Sequence, residues 1–281
     1  MKTFFRSSRY IFNEITTLFD FLWPTAAAMW NLRWQVNGYL QVRPDASDRE
    51  LLNRFTMGSN IHGANLKRAC VELTWEKQQE NFAKFLLVNI IALYESYLCS
   101  LLKELSCSNV KEEDIEKKLH FPTSVKNGKK TGVWNAIEII TTPQSQLITN
   151  GFYLKLSENK KNRKSELDSL MKCYRYFKEC RNSIIHKRSI VDQKTYDAYL
   201  EFDSIATKDK LGTLEVPDYP IIIKGDAVQV SLRGVVGLCD IILKIIITLD
   251  AELSRSKYAE IVFKKYWNEI NGKKIYAKNI G

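Results

Sequence analysis

The chain has 281 residues, 45% of them apolar and 26% charged, a balance that excludes disordered, collagen-like and low-complexity classes. Twelve Gly and six Pro are too few turn residues for an all-β sandwich or barrel of this length, so a mainly α fold is expected. The net charge of +10 favours polyanionic partners, nucleic acid or an anionic membrane face, although simple solubility would account for it equally.

Residues 3–23 are apolar in a helical rhythm that the spacing predicts to stop at Pro24, and residues 25–41 follow as a second helix. Arg6, Arg9, Glu14 and Asp20 interrupt the first stretch, so it is not a signal peptide. After a break at Pro44-Asp45, Ser47-x-x-Glu50 reads as a capping box. Residues 1–65 are therefore taken as an N-terminal helical extension, and 66–281 as the main helical domain.

From Leu66 to Leu105 there is no Pro or Gly, and the second half is apolar on nearly every face, the pattern of a central helix. Lys84, Asn89 and Glu95 fall within it and argue against stable membrane insertion. Asn109 and the acids at 112–114 suggest a capped helix to Leu119. Residues 120–164 are less regular, with short helices expected near 131–140 and 144–149. A long helix follows from Ser165 to about Lys187. The run Ile221 to Val230, with Lys224-Gly225-Asp226 at its centre, reads as a small β-hairpin near 220–230. Ser231 caps a helix over 232–253 in which Asp240 and Lys244 form an i,i+4 pair, and a last helix runs 254–271.

Six cysteines form no C-x-x-C pair, and with three histidines no zinc spacing arises; this fits a cytoplasmic, reducing location. No phosphate loop, dinucleotide fingerprint, metalloprotease or serine-hydrolase motif occurs, and no cofactor or metal is implied. His62 reads as an exposed linker residue. His120 reads as a helix C-terminal residue suited to the dipole.

His186 differs. On a helical wheel, Leu170, Met171, Tyr174, Phe177, Ile184 and Ile185 form one apolar stripe, and Arg181 falls inside it. Asn182 and His186 lie one turn apart on its border. A guanidinium in an apolar face needs a partner or an anionic ligand. Glu95, the acid of the central helix, is the candidate partner. Between residues 155 and 194 stand twelve Lys/Arg against five Asp/Glu, most of the chain's excess charge, with Arg175, Lys178, Lys187 and Arg188 as candidates to hold an RNA backbone. Tyr176 lies opposite the apolar stripe and is the candidate to stack a base.

Arg181-Asn182-x-x-x-His186 resembles the R-x4-6-H signature of the HEPN superfamily, in which the residue after Arg is commonly Asn, Asp or His. The apolar helix carrying Glu95 (Ile91 to Leu98) is similar to a HEPN core helix. The resemblance covers about residues 80–253. It implies a helical bundle, often dimeric, and in many members a metal-independent endoribonuclease of toxin–antitoxin or anti-phage systems. It also implies a homodimer whose paired motifs share one cleft, with an antitoxin or defence-complex partner. Some members carry a modified Tyr two residues after the His; here that position is Arg188. Without metal, the 2′-OH of RNA attacks the neighbouring phosphate, which needs a base, an acid and a cation. His titrates nearest neutrality, Arg presents a planar fork to phosphate, and Asn182 orients. The competing readings are a non-catalytic helical RNA- or protein-binding module and a peripheral membrane protein using residues 1–23.

Overall fold

A computed structural model of the chain describes residues 3–106 and 112–279. It is mainly α. The elements are α1 (Arg6–Val42), α2 (Asp48–Thr56), α3 (Trp75–Leu105), α4 (Glu112–Leu119), β1 (Ser124–Lys126), β2 (Lys129–Thr131), α5 (Val133–Thr141), α6 (Gln146–Ile148), α7 (Leu154–Ser157), α8 (Leu167–His186), α9 (Gln193–Asp203), α10 (Lys208–Leu211), α11 (Leu232–Leu253) and α12 (Lys257–Asn279). The expected cap at Asn109 lies outside the described residues, as does Cys107.

Three helices make the centre. α3, α8 and α11 pack on one another, α1 lies against α3, and α9 covers the far side of α8. α11 is the most apolar of them and buries Val235, Leu238, Ile241, Ile242, Ile245, Ile246 and Leu249. Ser231 caps it, its hydroxyl accepting from the Gly234 N–H. α3 is long and apolar enough to cross a membrane by length and composition, but half of its most apolar window is buried inside the bundle. Its start lies nine residues later than the sequence pattern suggests. A single π turn (Arg68–Glu72) ends at Leu73, and the Thr74 side chain caps a fresh helix by accepting from the Lys77 N–H.

α1 differs from expectation. It runs unbroken through Pro24. A helix-interior proline deletes one i→i−4 bond, from its own nitrogen to the Asp20 carbonyl. Both residues are exposed, so water serves that carbonyl, while packing on either side holds the helix. Ile11, Ile15 and Leu22 enter the main core. Val36 enters a second, smaller cluster with Ala46, Leu51, Leu66 and Cys70.

The start of α1 is held by carboxylates from other helices. The unpaired N–H groups of a helix N-terminus need acceptors. Asp250 of α11 accepts from Phe4 (2.7 Å) and Phe5 (3.1 Å), and Glu104 of α3 accepts from Arg6 (2.8 Å) and Ser7 (2.9 Å). Burial pushes the Asp250 carboxyl up to about 6, against the pull of the two backbone donors and the Ser8 hydroxyl. The folded state therefore binds this proton more tightly than the unfolded chain, and the stability that protonated Asp250 confers is lost as pH rises from about 4 to 6. Urea unfolding at pH 4.5 and 7.0 checks this. Relative to Asp250→Asn, which cannot titrate, the wild type is expected to lose on the order of 2 kcal/mol between the two pH values.

The expected hairpin near 220–230 does not form. Residues 225–228 turn instead to the loop after α8. Val191 N–H donates to the Asp226 carbonyl (2.9 Å), Gly225 N–H to that of Val191 (2.9 Å) and Val228 N–H to that of Ser189 (2.7 Å). Ile221 and Ile223 stay largely exposed. The hairpin in the structure is β1–β2, whose two-residue turn Asn127-Gly128 takes positive φ at both positions (52° and 72°), the turn that matches strand twist. At the C-terminus, α12 continues past Asn271-Gly272 to Asn279 rather than stopping near residue 271.

Candidate functional site

The site sits where α8 passes α3. Arg181 turns inward from α8 and donates from Nη2 to the carboxylate of Glu95 and from Nη1 to Asn182 Oδ1 (3.1 Å). Lys178, one turn earlier, reaches the other Glu95 oxygen at 3.0 Å. One carboxylate thus faces two cations, all three side chains mostly shielded from solvent. Burial alone would raise the Glu95 carboxyl. The hydrogen bond and charge of Lys178, with the charge of Arg181, outweigh it and hold the carboxyl below the usual carboxylate range. Asn182 is itself steadied by Glu179 at 3.4 Å. Each Nη of Arg181 keeps a second hydrogen, so the fork is oriented but not saturated.

His186 closes the last turn of α8 and is exposed. Its position is fixed from below. Ser183 is buried and meets Thr195 of α9, hydroxyl to hydroxyl, at 2.8 Å. Asp192 caps α9, accepting from the Thr195 N–H (3.0 Å), and also pairs with Lys187. The hydrogen bond from Lys187 is the main reason the Asp192 carboxyl falls to about 2. Beyond Lys187 the chain turns sharply, with Arg188 and Ser189 both in the left-handed region (φ 52° and 63°). The Ser189 N–H returns to the Ser183 carbonyl at 2.9 Å and seals the helix end.

The other sequence candidates divide. Lys178 and Lys187 are committed to Glu95 and Asp192, and Arg175 to Glu201 at 2.8 Å. Arg188 is exposed beside His186. Tyr176 does not face solvent. It is fully buried, stacked on Phe202 with ring centroids 5.5 Å apart, and leaves no face for a base. The wheel shows one apolar stripe on α8, but α9 covers the opposite side, so the helix is buried on two. The basic run also spreads further than its sequence clustering suggests. Lys160 to Lys164 precede the start of α8 and Arg181 to Arg188 lie at its end, a separation of about 30 Å at 1.5 Å per residue.

His120 follows the last residue of α4, at the expected helix end, but its side chain turns inward instead of standing free at the helix terminus. It is buried, with Nδ1 3.1 Å from the Tyr174 hydroxyl and its ring against Tyr94. Burial, helped by the charge of Lys178, lowers it to about 4, so it is neutral at pH 7. It backs the Glu95–Lys178–Arg181 cluster. The available signal was Tyr174, whose place on the apolar stripe leaves a hydroxyl in need of a buried partner. His62 is exposed, as expected, and its Nε2 lies 3.2 Å from Asn60 Oδ1. Among the described residues no group of three or more His, Cys, Asp or Glu side chains is arranged to hold a metal ion.

Two large apolar side chains, one on α8 and one on α3, are open to solvent. Ile185, beside His186, is 46% exposed, and Phe85 of α3 is 59% exposed. Phe85, Ala92 and Ser96 lie within about 100° of Glu95 on the α3 wheel and form its open side. Compared with protein-family models, with curated proteins and with solved structures, the chain matches none.

Proposed function

We propose that the protein is a HEPN-like, metal-independent endoribonuclease acting as a homodimer. The observation that supports this best is a single helix that carries an oriented, unsaturated guanidinium (Arg181) and, five residues on, an exposed imidazole (His186). The 2′-oxygen of a bound RNA attacks the adjacent phosphorus as His186 takes its proton. Arg181 holds the charge that builds on the phosphorane oxygens. The P–O5′ bond then breaks and the leaving oxygen takes a proton from a second acid. One chain supplies one such His at the site. A two-fold partner that covers exposed apolar side chains of α3 and α8, such as Phe85 and Ile185, brings the second His and a second Arg. Asn182 and Glu95 are positioning residues for Arg181, and Arg188 is an exposed contact for the RNA backbone.

In a cell such an activity suits a cytoplasmic toxin or an anti-phage effector, held in check by an antitoxin or a defence complex. The second reading is a non-catalytic helical module that binds RNA or protein. It draws on the ion pairs that already occupy Arg175, Lys178 and Lys187.

The test is incubation of end-labelled RNA with the purified full chain in excess EDTA. Cleavage is expected, leaving 2′,3′-cyclic phosphate and 5′-hydroxyl ends, with Arg181→Ala inactive and gel filtration showing a dimer. An absence of cleavage at all protein concentrations, or equal cleavage by Arg181→Ala, gives the binding module the better case.

A further inference from the structure

The last helix displays an apolar stripe that the fold does not use. α12 is seated by its inner side. Ala259 and Val262 are buried, the Tyr266 hydroxyl donates to Glu104 of α3, and Glu269 accepts from Arg6 of α1 at 2.7 Å. Phe263, Trp267 and Ile270 stand at i, i+4 and i+7, within about 60° of one another on the helical wheel, and form a stripe along the border of that seat. Trp267 is 58% exposed and Ile270 52%. The segment before α8 extends the stripe. The Phe152 ring lies 5.0 Å from Phe263, which lies 6.2 Å from Trp267, and Leu154, two residues after Phe152, is 66% exposed. Single exposed apolar side chains are ordinary, but a ladder of contacting rings open to water marks an interaction surface.

The charge around the stripe selects what covers it. Six lysines and two glutamates stand between Lys257 and Asn279. Glu269 is taken by Arg6, and Glu260 is shared by Lys257 (2.9 Å) and Lys264 (2.8 Å) while also accepting from the Ser145 hydroxyl. Lys265, and Lys155 next to Leu154, are exposed and enter no ion pair among the described residues. The stripe is therefore set in a positive field. A second copy of the chain would bring like charges together across it. Nucleic-acid bases want free aromatic faces, whereas these rings lean on one another and Ile270 and Leu154 have none. An anionic lipid surface suits both properties: its headgroups meet the lysines, and the layer beneath them takes indole and aliphatic side chains.

From this arrangement we propose that the protein docks peripherally on an anionic membrane surface through the α12 face. The helix lies along the plane of the interface, with Trp267, Ile270, Phe152 and Leu154 inserted among the headgroups and Lys264, Lys265 and Lys155 against lipid phosphates and carboxylates. The seat of α12 on α3 and α1 exists before contact, so little ordering opposes binding. The inference does not rest on the nuclease reading, because Arg181, Asn182 and His186 lie on α8 and take no part.

Flotation of the full chain with vesicles tests it, using phosphatidylcholine alone and phosphatidylcholine mixed with phosphatidylserine. The chain is expected to float with the mixed vesicles at about 0.1 M salt, to float poorly with the neutral ones, and to lose most of its binding at about 0.5 M salt, where charges are screened within a few ångströms. The variant Trp267→Ala/Ile270→Ala is expected to bind the mixed vesicles at least about tenfold more weakly, since two apolar side chains no longer insert, with its lipid-free melting temperature unchanged. Lys264→Gln/Lys265→Gln is expected to weaken binding to the mixed vesicles and to leave the small binding to neutral ones as it was. No flotation with the mixed vesicles at low salt, equal flotation with both kinds, or unaltered binding by the first variant would overturn the proposal. So would a fall in the mass of the lipid-free chain in the first variant, which would make the stripe a face between copies. Single-stranded RNA binding that either variant loses, with no vesicle binding, would overturn it as well.

Discussion

Replacing His186 by Ala is expected to lower RNA cleavage by about 10²- to 10⁴-fold, the usual worth of a positioned acid or base. The folded state should not notice. His186 is exposed at the end of α8, and the contacts that hold this end belong to Ser183, Lys187 and Asp192. Urea midpoint, dimer mass and RNA affinity are therefore expected to match the wild type. This separation distinguishes a chemical role from a structural one. Cleavage that persists at the wild-type rate would remove His186 from the chemistry.

The second large effect is expected at Glu95. In Glu95→Ala, Lys178 and Arg181 are left facing each other, each mostly shielded from water, with no carboxylate between them. Removing one partner of a buried pair typically costs 3–5 kcal/mol; with the Glu95 side chain 30% exposed, about 2–4 kcal/mol is expected in urea unfolding. Glu95→Gln, which keeps an acceptor, is expected to lose about half as much. Because the Glu95 carboxyl is held below its ordinary range, its contribution is present above pH of about 4.5 and is lost as pH falls through the lowered value. Below pH 4.5 the wild type is thus expected to lose stability relative to Glu95→Gln. A positioning role predicts more than instability: at temperatures where both proteins are folded, Glu95→Gln is expected to reduce kcat while RNA affinity holds. A loss confined to RNA affinity would place Glu95 outside the positioning of Arg181.

Much of the helical frame was legible from residues alone, and the reasons are local. α11 keeps its expected limits because Ser231 caps it and its apolar run is unbroken. α8 ends within a residue or so of expectation. The Glu95–Arg181 pair follows from two charges, each set in an otherwise apolar helix face. Other features rest on tertiary context. Pro24 stops an isolated helix, but here packing on both sides of it decides. The Ile221–Val230 run has hairpin composition, yet a loop about 35 residues earlier competes for its backbone and wins. Asn127-Gly128 is the stronger hairpin signal, set within the basic run Lys126–Lys130. Tyr176 was misplaced because a wheel assigns one buried side to a helix, and α8 has two.

The pairing of residues 189–191 with 225–228 carries a consequence for dissection of the molecule. The loop that follows His186 is paired with chain nearly forty positions downstream, so a fragment cut after α9 would retain every motif residue and still lack the backbone bonds that brace that loop. Transplanting α8 alone onto another scaffold would move the letters of the motif without the geometry.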